Sequence, residues 1–269
     1  MISKKSEQSL FSVPIGLIFF KRKESTLQVF EQIRKIKPKK LYLISDEGRN
    51  DEEKEMVLEI RTRILELCDW GGEIIKLFAD ENRGVYVQIG EITKNILNKE
   101  GKAIFLEDDN LPALSFFTYC AELLDKYENE EKVLWICGTN YMKDSTNDLK
   151  TSYAFTQQLL PCGWASWGWK FSKYYDGKLG FFDYPNHKKI ISKRYKNKKL
   201  FKQQYTAAKK EYLRAKKNKR ISSWDFQMIA ALKYHDLLGI TPVFNQIKNI
   251  GADLHSTHGG TTMKNVMTR

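Results

Sequence analysis

The sequence predicts an α/β fold with a mostly parallel central sheet and helices on both faces, and three observations carry that expectation. Short apolar runs alternate with segments of helical periodicity through the first half of the chain, and parallel strands need such long crossovers. The 269 residues, 42% of them apolar, are enough to bury one large core. The fourth apolar run leads straight into three consecutive carboxylates, Glu107, Asp108 and Asp109, at the kind of strand end where open α/β sheets bind ligands.

The elements follow in order. Residues 13–20 read as a buried strand, and 24–36 as a helix with Leu27, Phe30, Ile33 and Ile36 on one face, ended by Pro38. A second strand at 41–45 precedes a helix over 51–68, where Met56, Ile60, Ile64 and Leu67 recur at helical spacing before Gly71-Gly72. Strand 73–78, helix 85–97 and strand 102–106 repeat the unit, and a helix over 114–127 with a strand at 133–137 completes it. From Lys143 the alternation fails. A Trp-rich segment, a basic run and a last helix near 224–234 follow. No repeat or low-complexity linker separates 1–142 from 143–269, so one continuous domain is expected.

The net charge of +12 comes from 45 basic and 33 acidic side chains, a balance that suggests an anionic partner. Its excess is concentrated in 188–220, where fifteen Lys or Arg accompany a single acid, Glu211; the rest of the chain is close to neutral. Cys68, Cys120, Cys137 and Cys162 are widely spaced and form no C-x-x-C pair, so they are expected to be buried free thiols. The apolar stretch 13–20 is far shorter than the roughly 20 residues a membrane span needs. Lys21, Arg22 and Lys23 stand where a signal peptide would have its small cleavage residues, so a cytoplasmic location is expected.

Three adjacent carboxylates repel one another unless something positive sits among them, and a hard divalent cation with oxygen ligands, Mn²⁺ or Mg²⁺, is the simplest candidate. Strand geometry turns Glu107 and Asp109 to one face and Asp108 to the other. The alternative is a solvated acidic turn before Pro112; the position at a strand's carboxyl end in a β-α series favours a site.

The stretch Ile104-Phe105-Leu106-Glu107-Asp108-Asp109-Asn110-Leu111-Pro112, followed by Phe116, Phe117 and Tyr119, resembles the metal-binding D-x-D region of GT-A glycosyltransferases. It is most similar to the Glu-Asp-Asp form of N-acetylglucosaminyltransferase I and of bacterial family 2-like sugar transferases. Leu43-Ile44-Ser45-Asp46-Glu47-Gly48 resembles the segment whose acid meets uracil, Arg22 the donor-side arginine, and Glu81-Asn82-Arg83-Gly84-Val85 the Asn-x-Gly turn. Gly163-Trp164-Ala165-Ser166-Trp167-Gly168-Trp169 resembles the Gly-Trp loop beside the sugars, and Trp224-Asp225-Phe226-Gln227 the segment with the catalytic base of inverting members. The stretch from Asn249 to Gly259, with His255 and His258, resembles the closing Asn-x-Gly to Thr-His segment. Glu107 replaces the commoner first Asp.

What the resemblance implies is a GT-A fold, with 1–142 as the nucleotide-sugar half and 143–269 as an acceptor-side elaboration. Asp109 is the expected ligand of Mn²⁺ or Mg²⁺, with His258 as a metal or diphosphate contact. Arg22, Asp46, Glu107, Asp108 and Trp164 are expected on the donor, a UDP-sugar, and Asp225 as the base that deprotonates the acceptor, a glycan or lipid-linked hydroxyl. Two residue-level alternatives stay open. Ser222-x-x-Asp225 is also a capping box, and the tryptophans also suit a core.

Rival functions are weighed on the same residues. A nucleic-acid-binding protein would explain the basic run and its aromatics Tyr195, Phe201, Tyr205 and Tyr212, but not the acidic triplet, so nucleic acid is an unlikely partner. A nucleotidyltransferase shares a metal and a nucleotide, without a P-loop here. The basic run itself is read as a surface for an anionic inner-membrane leaflet or as a solvated helix face.

Overall fold

The computed structural model describes residues 10–140 and 150–251. The apolar runs form β1 (Ile15–Phe19), β2 (Lys40–Ser45), β3 (Glu73–Phe78) and β4 (Lys102–Glu107), paired in parallel in the order β3-β2-β1-β4. Between them run α1 (Lys23–Ile36), α2 (Asp51–Leu67) and α3 (Ile92–Glu100), the last entered through a π-helical turn at Tyr86–Glu91. Helix α1 ends where Lys37 takes a left-handed conformation just before Pro38, a common way to stop a helix. Helix α2 starts at Asn50, whose side chain accepts from the Glu53 N–H.

Next come β5 (Asn110–Pro112), α4 (Ser115–Lys126) and β6 (Val133–Cys137). The second half adds β7 (Tyr153–Thr156), β8 (Trp164–Trp167), α5 (Gly168–Tyr174), α6 (His187–Ser192), α7 (Lys198–Lys216), α8 (Asp225–Tyr234), β9 (Leu238–Pro242) and β10 (Ile247–Asn249). Although the alternation fails here, β8, β9 and β7 join the same sheet, in the order β3-β2-β1-β4-β8-β6-β9-β7. Among the described residues, β7 and β8 run against the other six strands. The fold is therefore mixed α/β with a mostly parallel eight-stranded sheet, and strand β8, inserted between β4 and β6, belongs to the later half of the chain.

Helices cover both faces. On one, α1, α2 and α4 pack Val29, Phe30, Ile60, Ile64, Phe117 and Leu124 against the sheet. On the other, α3, α5 and α8 supply Ile96, Leu97, Phe171, Met228 and Leu232. A smaller cluster of Leu179, Phe181, Phe182, Ile191, Ala208 and Ala230 joins α6, α7 and α8 outside that layer. Lys170 on α5 is fully buried, and its ammonium donates to the carbonyls of Tyr127, Glu130 and Val133, joining the end of α4 to the start of β6. Burial draws its pKa down to about 8. Cys120, Cys137 and Cys162 are buried and, with Cys68, are free thiols. No helix among the described residues is long and apolar enough to cross a membrane.

Candidate active site

Parallel register brings the ends of four strands to one edge: Phe19 lies opposite Ser45, Ser45 opposite Phe78, and Ile18 opposite Glu107. The residues just beyond those ends meet there. The guanidinium of Arg22, three residues past β1, donates to Asp109 Oδ2 at 2.9 Å and to Asp108 Oδ1 at 3.4 Å. The backbone N–H of Phe20 also donates to Asp108, at 3.3 Å. Glu107 feels burial first, and then the charges of Asp109, Asp108 and Asp225; together they hold its carboxyl well above the usual carboxylate range, with Arg22 offsetting only part. That interaction brings Asp225, 118 positions beyond Glu107, into the electrostatic neighbourhood of the acidic triplet.

Asp225 opens α8, and its position is set by what lies behind it. Trp224 belongs to a buried stack with Trp164 (centroids 5.6 Å apart, planes 24°) and Trp135, which itself stacks on Trp164 at 4.3 Å. The Ser222-x-x-Asp225 capping box does not form. The Ser222 hydroxyl and N–H both donate to the carboxylate of Glu211, while Ser223 and Gln227 close the first turn by donating to each other across one helical turn. Glu211, the lone acid of the basic run, is buried and holds the loop that delivers Asp225.

Trp164, expected against the donor sugar, is a correction. Residues Trp164–Trp167 are a strand rather than a loop, and all four are buried because β8 sits inside the sheet with helices on both faces. The Trp164 ring is fully buried among Phe105, Trp135, Phe171 and Trp224, so no face remains for a sugar. Its place is to support Trp224. Of the three tryptophans in that motif only Trp169 is exposed.

Asp46 also differs from its expected part. Its two carboxylate oxygens accept from the N–H groups of Glu47, Arg83 and Gly84 and from the amides of Asn82 and Gln88. A carboxylate offers about four lone-pair sites, so this one is filled from within and acts to fix the 82–84 turn. Gly84 adopts φ +83° there, and a side chain at that position would strike the Arg220 guanidinium, which donates to Asn82 at 2.7 Å.

Several residues at the site had not been singled out. Asn110 is buried; its amide donates to Asp109 Oδ1 at 2.6 Å while its carbonyl accepts from the Gly163 N–H at 2.7 Å. The Gly-Trp motif thus reaches the acidic triplet through the backbone of Gly163, whose φ of +60° and contact with Ile247 suit glycine alone. Strand β10 pairs with β5 and carries Ile250 and Gly251 onto Asp109, with the Ile250 N–H donating to the Asp109 carbonyl at 2.8 Å. Arg61 clamps the ends of β2 and β3 through the carbonyls of Ser45, Asp46 and Ala79. Asn110 had a signal in its place directly after the triplet, and Gly163, Ile250 and Gly251 in their motifs; Arg61 had none.

A polar cleft of about 350 Å³, within the size range of small-ligand pockets, opens beside Arg22 between the start of α1 and the middle of α2, with Lys21, Gln28, Met56 and Ile250 in its walls. Oxygen donors alone, as Asp108 and Asp109 provide, suit a hard cation held by one or two carboxylates together with substrate phosphates. Among the described residues no group of three or more His, Cys, Asp or Glu is arranged to hold a metal by itself. His258, with His255, lies outside the described residues.

No protein-family model matches the chain, and no curated protein is similar to it in sequence. Among the solved structures that resemble it in shape are the following three. Glucosyl-3-phosphoglycerate synthase from Mycobacterium tuberculosis, in complex with Mn²⁺, UDP-glucose and phosphoglyceric acid, matches at 11% identity and a TM-score of 0.35, over 58% of this chain and 57% of that one. The chain thus spans less than two thirds of that protein's length. 4-Diphosphocytidyl-2C-methyl-D-erythritol synthase from Anaerococcus prevotii matches at 10% and 0.37, over 61% and 76%. UDP-glucose pyrophosphorylase complexed with UDP-glucose matches at 12% and 0.42, over 88% and 91%. Likeness at this level carries no assignment of activity.

Proposed function

We propose that the chain is a glycosyltransferase of the GT-A kind, moving a sugar from a nucleotide-diphosphate donor, a UDP-sugar, to a hydroxyl of a glycan or lipid-linked acceptor with inversion. The observation that supports it most is the meeting of Arg22, Glu107, Asp108 and Asp109 at one strand edge with Asp225 close enough to perturb Glu107. Like charges gathered at such an edge are costly to keep together, and a diphosphate with its counter-cation is a ligand that makes use of them. Mn²⁺ or Mg²⁺, held by Asp109 and by phosphate oxygens, would supply charge neutralisation for the leaving diphosphate. Arg22 balances the two carboxylates and is chemically suited to turn to a phosphate oxygen. Asn110 keeps Asp109 in one orientation. Asp225 takes the acceptor's proton as the new glycosidic bond forms and the bond from the anomeric carbon to phosphate breaks.

The test is UDP release from a panel of UDP-sugars with a mixture of hydroxyl acceptors. Asp225→Asn is expected to lower turnover by roughly 10²- to 10⁴-fold with little change in donor affinity. A product of retained anomeric configuration would remove Asp225 from this role, and pyrophosphate-dependent nucleotide exchange without sugar transfer would replace the reading with a nucleotidyltransferase.

A further inference from the structure

The basic segment 188–220 is built so that its aromatics point in and its charges point out. Tyr195, Phe201, Tyr205 and Tyr212 pack on the satellite cluster around Phe182 and Ala208, with Phe182 stacked on Tyr205 and Tyr212 at 5.5 and 5.3 Å. None of them is left as an exposed platform for nucleic-acid bases. The outer face of α7 carries Lys199, Lys202, Lys209, Lys210 and Lys217 just past its end, all exposed. At 100° per residue these positions, with exposed Leu213, fall within an arc of roughly 100° on a helix roughly 28 Å long. Leu213 is 44% exposed in the middle of that row.

The segment's ion pairs lie elsewhere. Arg194 pairs with Asp236, Arg214 with Glu211 and Lys216 with Asp183, whereas the five lysines of the outer row have no acidic partner among the described residues. The cleft beneath α7 lined by Phe182, Tyr195, Tyr205 and Ala208 holds about 10 Å³, too little for a lipid headgroup. A row of exposed cations spread along the helix around one apolar side chain complements an extended anionic plane rather than a single small anion. Clustered lysines beside an anionic leaflet each add binding free energy that falls off within a Debye length.

We propose that the outer face of α7 docks the protein on an anionic lipid surface, through charge density and not through recognition of a particular headgroup. The docked face and the candidate site belong to one tied unit, because Glu211 on the inner side of α7 holds Ser222 and Arg220 holds Asn82. The proposal does not depend on the reaction.

The test is cosedimentation of the full chain with phosphatidylcholine vesicles containing graded fractions of phosphatidylglycerol, at low and near-physiological salt. A second series replaces phosphatidylglycerol by phosphatidylserine at equal charge. Binding should rise steeply with anionic fraction, weaken with salt and be the same for both lipids. K199Q, K202Q, K209Q and K210Q together should weaken it roughly 100-fold or more, with the circular dichroism spectrum unchanged. If that variant fails to fold, K189Q on α6 with K193Q and K196Q just past its end, all exposed, gives a smaller loss in the same direction. Binding that ignores lipid charge, or that survives both sets of substitutions, overturns the proposal. So does tighter binding to a duplex or single-stranded oligonucleotide than to vesicles at the same salt.

Discussion

Two regions of this molecule gather like charges, and the fold treats them in opposite ways. At the end of β4, Glu107, Asp108 and Asp109 sit where β1, β5, β10 and α8 converge. There the chain provides an arginine, a buried asparagine and the Phe20 N–H to hold the carboxylates, and Glu107 is still shifted upward. On α7 a larger number of lysines, those of the outer row, faces water with no acidic partner among the described residues, while the structural contacts are made by the opposite side of the helix. Charge in water costs little and needs no fold-level answer. Crowded carboxylates that persist at a strand edge point to a ligand that uses them.

The sharpest contrast to both is Lys170, a cation inside the core. Replacing it by Met leaves three carbonyls without their donor, and the expected loss of stability is about 2–4 kcal/mol by chemical denaturation. A loss below about 0.5 kcal/mol would mean that the cost of desolvating the ammonium nearly cancels what its three hydrogen bonds contribute.

Glu107→Gln should act with the opposite sign. The folded-state pKa of this acid lies above its unfolded value, so its contribution is fully present below about pH 4.3 and is lost as pH rises through the folded pKa. The variant should therefore melt above the wild type at pH 8, with the difference closing near pH 4. A gap that widens on acidification would show that the carboxylate is stabilised in the fold. The lysines of α7 should matter least to the fold: K199Q, K202Q, K209Q and K210Q together are expected to change stability by no more than about 0.5 kcal/mol, and to leave transfer to a water-soluble acceptor unchanged. A larger drop in either would mean that the outer row contributes inside the protein.

Apart from β5, the strands and helices up to residue 137 were legible because each of those strands is a run of five or six residues bounded by turn residues, and each helix shows its own period. The helical faces were read slightly off: Val29 and Val57 are buried where Leu27 and Met56 were expected. Strands β5, β7, β8 and β10 have three or four residues each, too few to display alternation. In β8 both faces are buried, which erases alternation altogether and makes Trp164 look like a loop residue beside two glycines. Arg61 and Glu211 were invisible for another reason. A charged residue on a helix reads as solvated unless the loop it bonds is known, and both bond loops distant in sequence. The acidic triplet stood out through its place after a strand, whereas Asp225 was singled out only by the resemblance of 224–227, its place before a helix suiting a cap as well; their proximity came only from the fold.

The central claim is that the carboxylates at the end of β4 receive a nucleotide-diphosphate sugar together with a divalent cation. Thermal unfolding of the wild type and of Asp109→Ala, each with a panel of UDP-sugars and with Mn²⁺, Mg²⁺ or chelator, tests it most directly. A ligand present at about 100 times its Kd adds about 2.7 kcal/mol. The account predicts a rise in Tm for at least one UDP-sugar only when the cation is present, and no rise in Asp109→Ala although that variant folds. A rise that persists in chelator, an equal rise in Asp109→Ala, or no response to any nucleotide sugar would contradict it.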